Sequence, residues 1–129
     1  MGLEKLEAAR WASSLRTGGT ALVNEHSLYP LSVSSGAEKY PTDSQVAASF
    51  EPRGSYVHLV DGIGMARSLG NPKVLNVAVL GYLASLLPLP WDAWVRTVER
   101  RIPARFRELN LKALELGRES ATTGLRTAD

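Results

Sequence analysis

A chain of 129 residues is the size of one ordinary domain, and 44% hydrophobic with 22% charged residues is globular composition. A formal charge of +2, from 15 basic and 13 acidic side chains, is too small a surplus to point to nucleic acid or to an acidic membrane surface. The absence of cysteine excludes a disulfide framework and thiolate ligation of an iron–sulfur cluster by this chain.

The start, MGLEKLEAARW, carries charges in its first turns and no apolar stretch of the signal-peptide kind, so a cytoplasmic protein is expected. Residues 3–15 hold good helix formers and no Gly or Pro after the start, then stop at Thr17-Gly18-Gly19, which predicts a helix. Thr20–Asn24 is short and apolar, as a buried strand is. The following HSLYPLSVSSG reads as irregular, with Leu31–Ser34 a candidate short strand and Pro30 arguing against a central position. Thr42-Asp43-Ser44-Gln45 has the form of a capping box and predicts a short helix over 43–50, broken by Pro52 and Gly54.

Tyr56–Asp61 is the clearest strand, rich in β-branched and aromatic residues and closed by Asp61-Gly62. A short helical piece to Leu69 ends at a cap formed by Gly70 and Asn71. Pro72 then opens a helix that is apolar on nearly every side and ends before Pro88, so burial of 73–87 is expected. The run Val74–Leu87, interrupted by Asn76 and Ser85, falls short of the roughly 20 residues a bilayer span needs. Trp91, Trp94, Val95, Val98 and Ile102 form a helical stripe, read as core rather than as a base-stacking platform. Pro103 breaks that helix and opens a last one, where Phe106, Leu109, Ala113 and Leu116 recur on one side. Arg96, Arg100, Arg101, Arg105 and Arg107, interleaved with Glu99 and Glu108, read as a solvated face. Residues 118–129 are polar and small, and a frayed tail is expected there.

Strands separated by helical segments predict an α/β fold: one domain over 1–129, with a small, mainly parallel sheet flanked by helices and a helical C-terminal half. With so few strands the sheet reads as an incomplete Rossmann-like arrangement, whose edges and faces need cover from elsewhere.

Several residues could carry chemistry. Asp61 ends a strand, where open α/β sheets place ligand contacts, and it could equally cap the turn that follows. Gly70-Asn71-Pro72-Lys73 could offer helix N-terminal amides and an ammonium to a phosphate; the same residues spell a C-cap glycine, an N-cap asparagine and a first-turn proline. Asn76 and Asn110 sit in apolar helices, where buried amides need partners, and a neighbouring backbone is the expected one. His26 and His58 have no legible Ser or carboxylate partner, so no triad is predicted, and nothing spaces them as zinc ligands. No catalytic or metal-binding residue is predicted. The ligand-facing candidates are Asp61, Asn71, Lys73 and Asn76.

Three stretches, LRTGGTALVN, YVHLVDGIGMARSLGNPKVLNVAVLGYLA and RIPARFRELNLKALELGRE, carry a resemblance through Asp61, Ala66, Gly70-Asn71, Asn76, Leu80-Gly81, Asn110, Ala113 and Gly117. Their order and spacing over roughly residues 3–119 resemble the C-terminal part of the gamma-type subunit or domain of 2-oxoacid:ferredoxin oxidoreductases. LPLPWDAWVRTVERRIP and LNLKALELGR are most like the indolepyruvate type. The strand and G-x-G-G-x-G turn that open members of that family are not in this sequence, which reads as a shortened or split version.

The resemblance implies a subunit without a catalytic centre of its own. It would support oxidative decarboxylation of a 2-oxo acid, an arylpyruvate such as indolepyruvate, to an acyl-CoA, with electrons passed to ferredoxin. Thiamine diphosphate and iron–sulfur clusters are then expected on a partner subunit, and coenzyme A as a possible shared ligand. The expected partners are that subunit, ferredoxin indirectly, and further copies of the chain, with neither nucleic acid nor membrane. The alternative reading is a non-enzymatic α/β interaction or scaffold domain. A nucleotide-binding module is a third, opposed by the missing glycine-rich turn.

Overall fold

The computed structural model describes residues 1–28, 31–36 and 39–124. The chain packs as two compact units, Met1–Asp61 and Gly62 onward.

The first unit is built on a parallel pair of strands, β1 (Thr20–Asn24) and β2 (Tyr56–Val60), in register from Thr20 opposite Tyr56 to Asn24 opposite Val60. Both strands fall where the sequence placed them. Ala21 through Asn24 are all buried, so β1 has the unbroken apolar character of a strand covered on both faces. Its partner is half-exposed along most of its length. A core of Ala12, Ala21, Val23, Val46 and Phe50 is joined by Ala8, Ala9, Leu15, Val57 and Leu59.

The helix expected over 3–15 is two pieces, α1 (Lys5–Arg10) and a 3-10 turn at Ala12–Ser14. A further helix, α2 (Leu31–Ser34), stands where a short strand had been expected. The reason is local: Gly36 adopts φ 79°, and its N–H donates to the Val33 carbonyl at 3.0 Å, closing a helical turn. Tyr29 and Pro30, on which part of that reading rested, lie outside the described residues.

The helix α3 (Asp43–Ala48) starts on the anticipated capping box: Gln45 N–H donates to Thr42 Oγ1 at 3.3 Å, and Thr42 N–H donates to Gln45 Oε1 at 2.9 Å. Lys5 and Asp43 pair at 2.6 Å between α1 and α3.

Glu4 fastens this unit. It caps α1 by accepting the Glu7 N–H at 2.9 Å, accepts the Leu28 N–H at 3.2 Å, and accepts the Tyr40 hydroxyl. Burial pushes its carboxyl up, but the Tyr40 hydroxyl and the Glu7, Leu6 and Leu28 amides outweigh that and hold it below the ordinary carboxylate value. The Tyr40 hydroxyl is pushed up, first by burial and then by the bond to Glu4.

The second unit is helical: α4 (Gly62–Ser68), a 3-10 turn at Pro72–Val74, α5 (Leu75–Ser85), α6 (Trp91–Arg101) and α7 (Ala104–Gly124). Ala66, Val74, Ala78 and Ala113 form its core, with Met65, Leu69, Leu75, Val77 and Leu109 packed around them. The α5 and α7 backbones approach most closely at two glycines. A methyl group at Gly81 would overlap the Leu114 carbonyl, and one at Gly117 would overlap the Ala78 carbonyl and lie 2.9 Å from the Tyr82 nitrogen.

As expected, Ile102 is extended (φ −95°, ψ 131°) and Pro103 separates α6 from α7. The tail expected from residue 118 is helical as far as Gly124, with Ala121 buried; residues 125–129 lie outside the described residues.

The core expectations need correction: of the stripe Trp91, Trp94, Val95, Val98 and Ile102, Val98 is buried and the others are half-buried. Phe106 is 45% exposed rather than buried, because it lies in the first turn of α7, beside the Arg105 guanidinium at 4.6 Å from its ring. Trp91 is half-buried under the Arg118 guanidinium, 4.4 Å from its ring. The interleaved α6 arginines are exposed, as a solvated face requires. No helix among the described residues is long and apolar enough to cross a membrane.

Two outcomes follow from this packing. Replacing a mid-helix glycine by alanine favours an isolated helix by about 1 kcal/mol, but here the added methyl meets a neighbouring backbone that cannot rotate away. Gly81→Ala and Gly117→Ala should therefore each destabilise the protein, by about 2–3 kcal/mol net, read as lower urea midpoints. An unchanged or raised midpoint would show that the helices can separate without loss.

The Glu4 contacts make a pH prediction. Because its carboxyl is held below its ordinary value of 4.5, its stabilisation is complete above that pH and is lost as pH falls through the folded value. Tyr40→Phe should cost about 1–2 kcal/mol at neutral pH and should flatten the loss of stability below pH 4.5. A variant with the same acid dependence as the native chain would show that Tyr40 does not hold the carboxylate.

Candidate functional site

In a parallel α/β sheet the carboxyl ends of the strands face the ligand, because the loops leaving them are free to vary while the strands stay fixed. Here that end is made by Asn24 and Val60, which are opposite one another. Asn24 is buried, and its Nδ2 donates to the Leu3 carbonyl at 3.2 Å. Just beyond it, the Glu25 N–H donates to the Val60 carbonyl at 2.8 Å, carrying the ladder one residue past the strands. Asp61 follows Val60 directly and is exposed, so its carboxylate is at the anticipated end of β2.

His26 lies in the same strand-end loop, half-buried, with its backbone carbonyl accepting the Lys5 N–H at 3.0 Å. His58 is a half-buried position inside β2. Among the described residues no three His, Asp or Glu side chains converge on a point that could hold a metal ion.

The other sequence-derived candidates belong to the second unit. Gly70, at φ 73°, ends α4 in a paired arrangement: its own N–H donates to the Arg67 carbonyl at 2.9 Å, and the Asn71 N–H donates to the Ala66 carbonyl at 3.1 Å. Asn71 then turns from C-cap to N-cap. Its side chain accepts the Lys73 N–H at 3.0 Å, and Pro72 takes the first position of the 3-10 turn, where it forfeits no bond. Capping geometry thus accounts for Gly70, Asn71 and Pro72, and it leaves the Lys73 side chain exposed at the start of the turn.

Asn76 is exposed on α5, not buried as its apolar neighbours suggested, since the α5 faces packed in this unit carry Ala78, Val79, Gly81 and Tyr82. Asn110 is the buried one. Its Nδ2 donates to the Phe106 carbonyl one turn back, at 2.8 Å, so its backbone partner lies in its own helix.

The structure thus joins Asn71 to Lys73 through a cap, places Asn76 on an open helix face and sets Asp61 at a strand end. Two polar positions at the sheet were not singled out from sequence. Asn24 had a usable signal, a polar residue closing an apolar strand. Glu4 had none, because its partners Tyr40 and Leu28 are 36 and 24 residues away.

Residues 1–120 match the family model described as pyruvate ferredoxin/flavodoxin oxidoreductase. The chain is 27% identical to the indolepyruvate oxidoreductase subunit IorB of Archaeoglobus fulgidus, over 99% of this chain and 65% of that protein. It is 28% identical to the IorB subunit of Thermococcus kodakarensis, over 94% of this chain and 61% of that one. Among solved structures it resembles the gamma subunit of a keto/oxoacid ferredoxin oxidoreductase from Geobacter sulfurreducens, with TM-score 0.67 and 22% identity, covering 94% of this chain and 62% of that one. The chain thus spans less than two thirds of the length of these relatives, and the structural likeness speaks for the fold alone. With the family model matched almost from end to end, and with the parallel α/β arrangement in place, the chain belongs to the pyruvate ferredoxin/flavodoxin oxidoreductase family.

Proposed function

We propose that this chain works as a gamma-type subunit of a 2-oxoacid:ferredoxin oxidoreductase, acting on an arylpyruvate such as indolepyruvate. The observation that carries the reading is the family match over residues 1–120, supported by the IorB subunits aligned over nearly the whole chain. The reaction would be oxidative decarboxylation to an acyl-CoA, with electrons leaving to ferredoxin. Thiamine diphosphate, when bound, supplies the carbanion stabilisation. We assign it to a partner subunit, together with the iron–sulfur clusters, since a chain without cysteine offers them no thiolate. The proposed setting is a heteromeric complex in the cytoplasm.

What this chain contributes, in this reading, is a wall and a handle. Asp61, exposed at the end of β2, faces the partner's reaction site and orients a polar group there. Lys73 offers its ammonium to a phosphate of coenzyme A, with Asn71 holding the turn that presents it and Asn76 close by in sequence on an exposed helix face.

The test is reconstitution with a thiamine- and cluster-bearing partner, following dye reduction that depends on indolepyruvate and coenzyme A. The purified chain alone should bind no thiamine diphosphate and reduce no dye; the complex should do both. Lys73→Ala should raise the KM for coenzyme A about tenfold, the loss of one charge-assisted contact. Asp61→Ala should lower kcat while the complex stays intact by gel filtration. Turnover by the chain alone would overturn the assignment of chemistry to the partner. Failure to bind any such partner would favour a scaffold role.

A further inference from the structure

The corner where α6 meets α7 concentrates positive charge. Residues 96–107 hold five arginines and one glutamate, in a chain whose total charge is only +2, so the remaining residues are net negative. Arg96, Arg100 and Arg101 are exposed on α6, and Arg105 is exposed in the first turn of α7. Nearby carboxylates leave most of this charge unanswered. Asp92 lies 3.9 Å from Arg96 and Glu108 pairs with Lys112 at 2.7 Å, while among the described residues none pairs with Arg100, Arg101 or Arg105.

Stability does not account for the arrangement. Arg100 and Arg101 suit the C-terminal end of α6, but α7 opens on Arg105 and Arg107 with no acidic residue in its first turn, where the helix dipole repels positive charge. Arg96 and Arg100 are about one turn apart on the same helix, a like-charged pair that weakens it. Arg107 alone among the five is half-buried, its Nη2 donating to the Ile102 carbonyl at 3.5 Å. Charge held together against the chain's own stability is answered by opposite charge from outside it.

We propose that this face docks an acidic surface of the partner subunit, whose carboxylates accept paired N–H bonds from Arg100, Arg101 and Arg105; the inference rests on the complex proposed above. A planar guanidinium matches a carboxylate in two bonds at once, and arginine beside an exposed aromatic ring is the composition of interface centres. Phe106, 45% exposed with the Arg105 guanidinium 4.6 Å from its ring, supplies the apolar contact. A small anion fits less well, because ligand sites are concave and the depression on this face is bordered by α6 residues alone, Ala93, Arg96, Thr97, Glu99 and Arg100. An even array of phosphates, as on nucleic acid or an anionic membrane, would repel Glu99. A protein surface can set a basic or neutral group opposite it.

The test uses the full chain and the thiamine- and cluster-bearing partner, with affinity measured by titration. Binding should weaken at least about tenfold between about 50 and about 300 mM salt. Arg100→Glu, Arg101→Glu and Arg105→Glu together should weaken it about a hundredfold. The urea midpoint of that variant should be unchanged or raised, since α7 then opens on an acidic residue. Arg100→Lys, Arg101→Lys and Arg105→Lys together should weaken binding about tenfold, through loss of the paired bonds. With a carbodiimide, which joins ammonium groups to carboxylates, that second variant should cross-link to the partner at positions 100, 101 and 105.

Native chain that fails to bind the partner would overturn the complex itself, and this inference with it. Native binding that charge reversal leaves unchanged would overturn the docking face alone. Binding lost together with a fall in the urea midpoint would make the arginines structural and overturn it too. Capture of double-stranded DNA or of phosphatidylserine vesicles through the same three arginines, with affinity for the partner unaffected, would give the face to phosphate instead.

Discussion

The contact between α5 and α7 is a meeting of two backbones, and the second unit depends on it. Gly81 lies against the Leu114 carbonyl and Gly117 against the Ala78 carbonyl and the Tyr82 nitrogen, so each helix supplies a notch for the other's main chain. Dispersion grows steeply as surfaces close, and two helices that touch along their backbones bring their flanking side chains into full contact. Val79 and Leu114 are completely buried as a result, and Ala78 and Ala113 are small because larger side chains would push the helices apart. The same contact anchors the start of α5, with Val74 buried in the core and the Asn71–Lys73 turn held just ahead of it.

In the first unit the constraint is polar. A parallel pair of strands, of which only β1 is buried along most of its length, has little sequence-local means of fixing where the chain enters and leaves. Glu4 does this by accepting hydrogen bonds from the Tyr40 hydroxyl and the Leu28 amide, while Gly2 bridges to β1 and fits only because it has no side chain; a Cβ there would lie 2.6 Å from that of Ala8. The carboxylate accepts enough donors that it stays charged despite burial, which ties this part of the sheet to pH.

Family membership and the proposed role bear on different parts of the chain. The parallel strands, the α4–α5 capping turn and the long α7 belong to the fold that the family match covers. The chemistry proposed for the complex calls for thiolates, which this sequence does not contain.

What the sequence determined by itself was whatever chemistry acts within a few residues. The strands at 20–24 and 56–60, the Thr42–Gln45 capping box, the Gly70–Asn71–Pro72 succession and the break at Pro103 were all legible, because β-branching, side-chain capping and a missing N–H operate locally. Leu31–Ser34 was read as a strand because its turn is closed by a left-handed glycine two residues beyond it, a conformation that composition does not reveal. Tertiary structure alone decided burial. Asn76 and Asn110 sit in equally apolar helices, yet one is exposed and the other buried, since exposure depends on which face meets a neighbour. Phe106 follows the apolar spacing of α7 and is still exposed, while Gly81 and Gly117, which look like flaws in two helices, are where those helices meet. Glu4 and Tyr40 belong to one site only because the fold brings residues 36 positions apart into contact, a relation that no local pattern encodes.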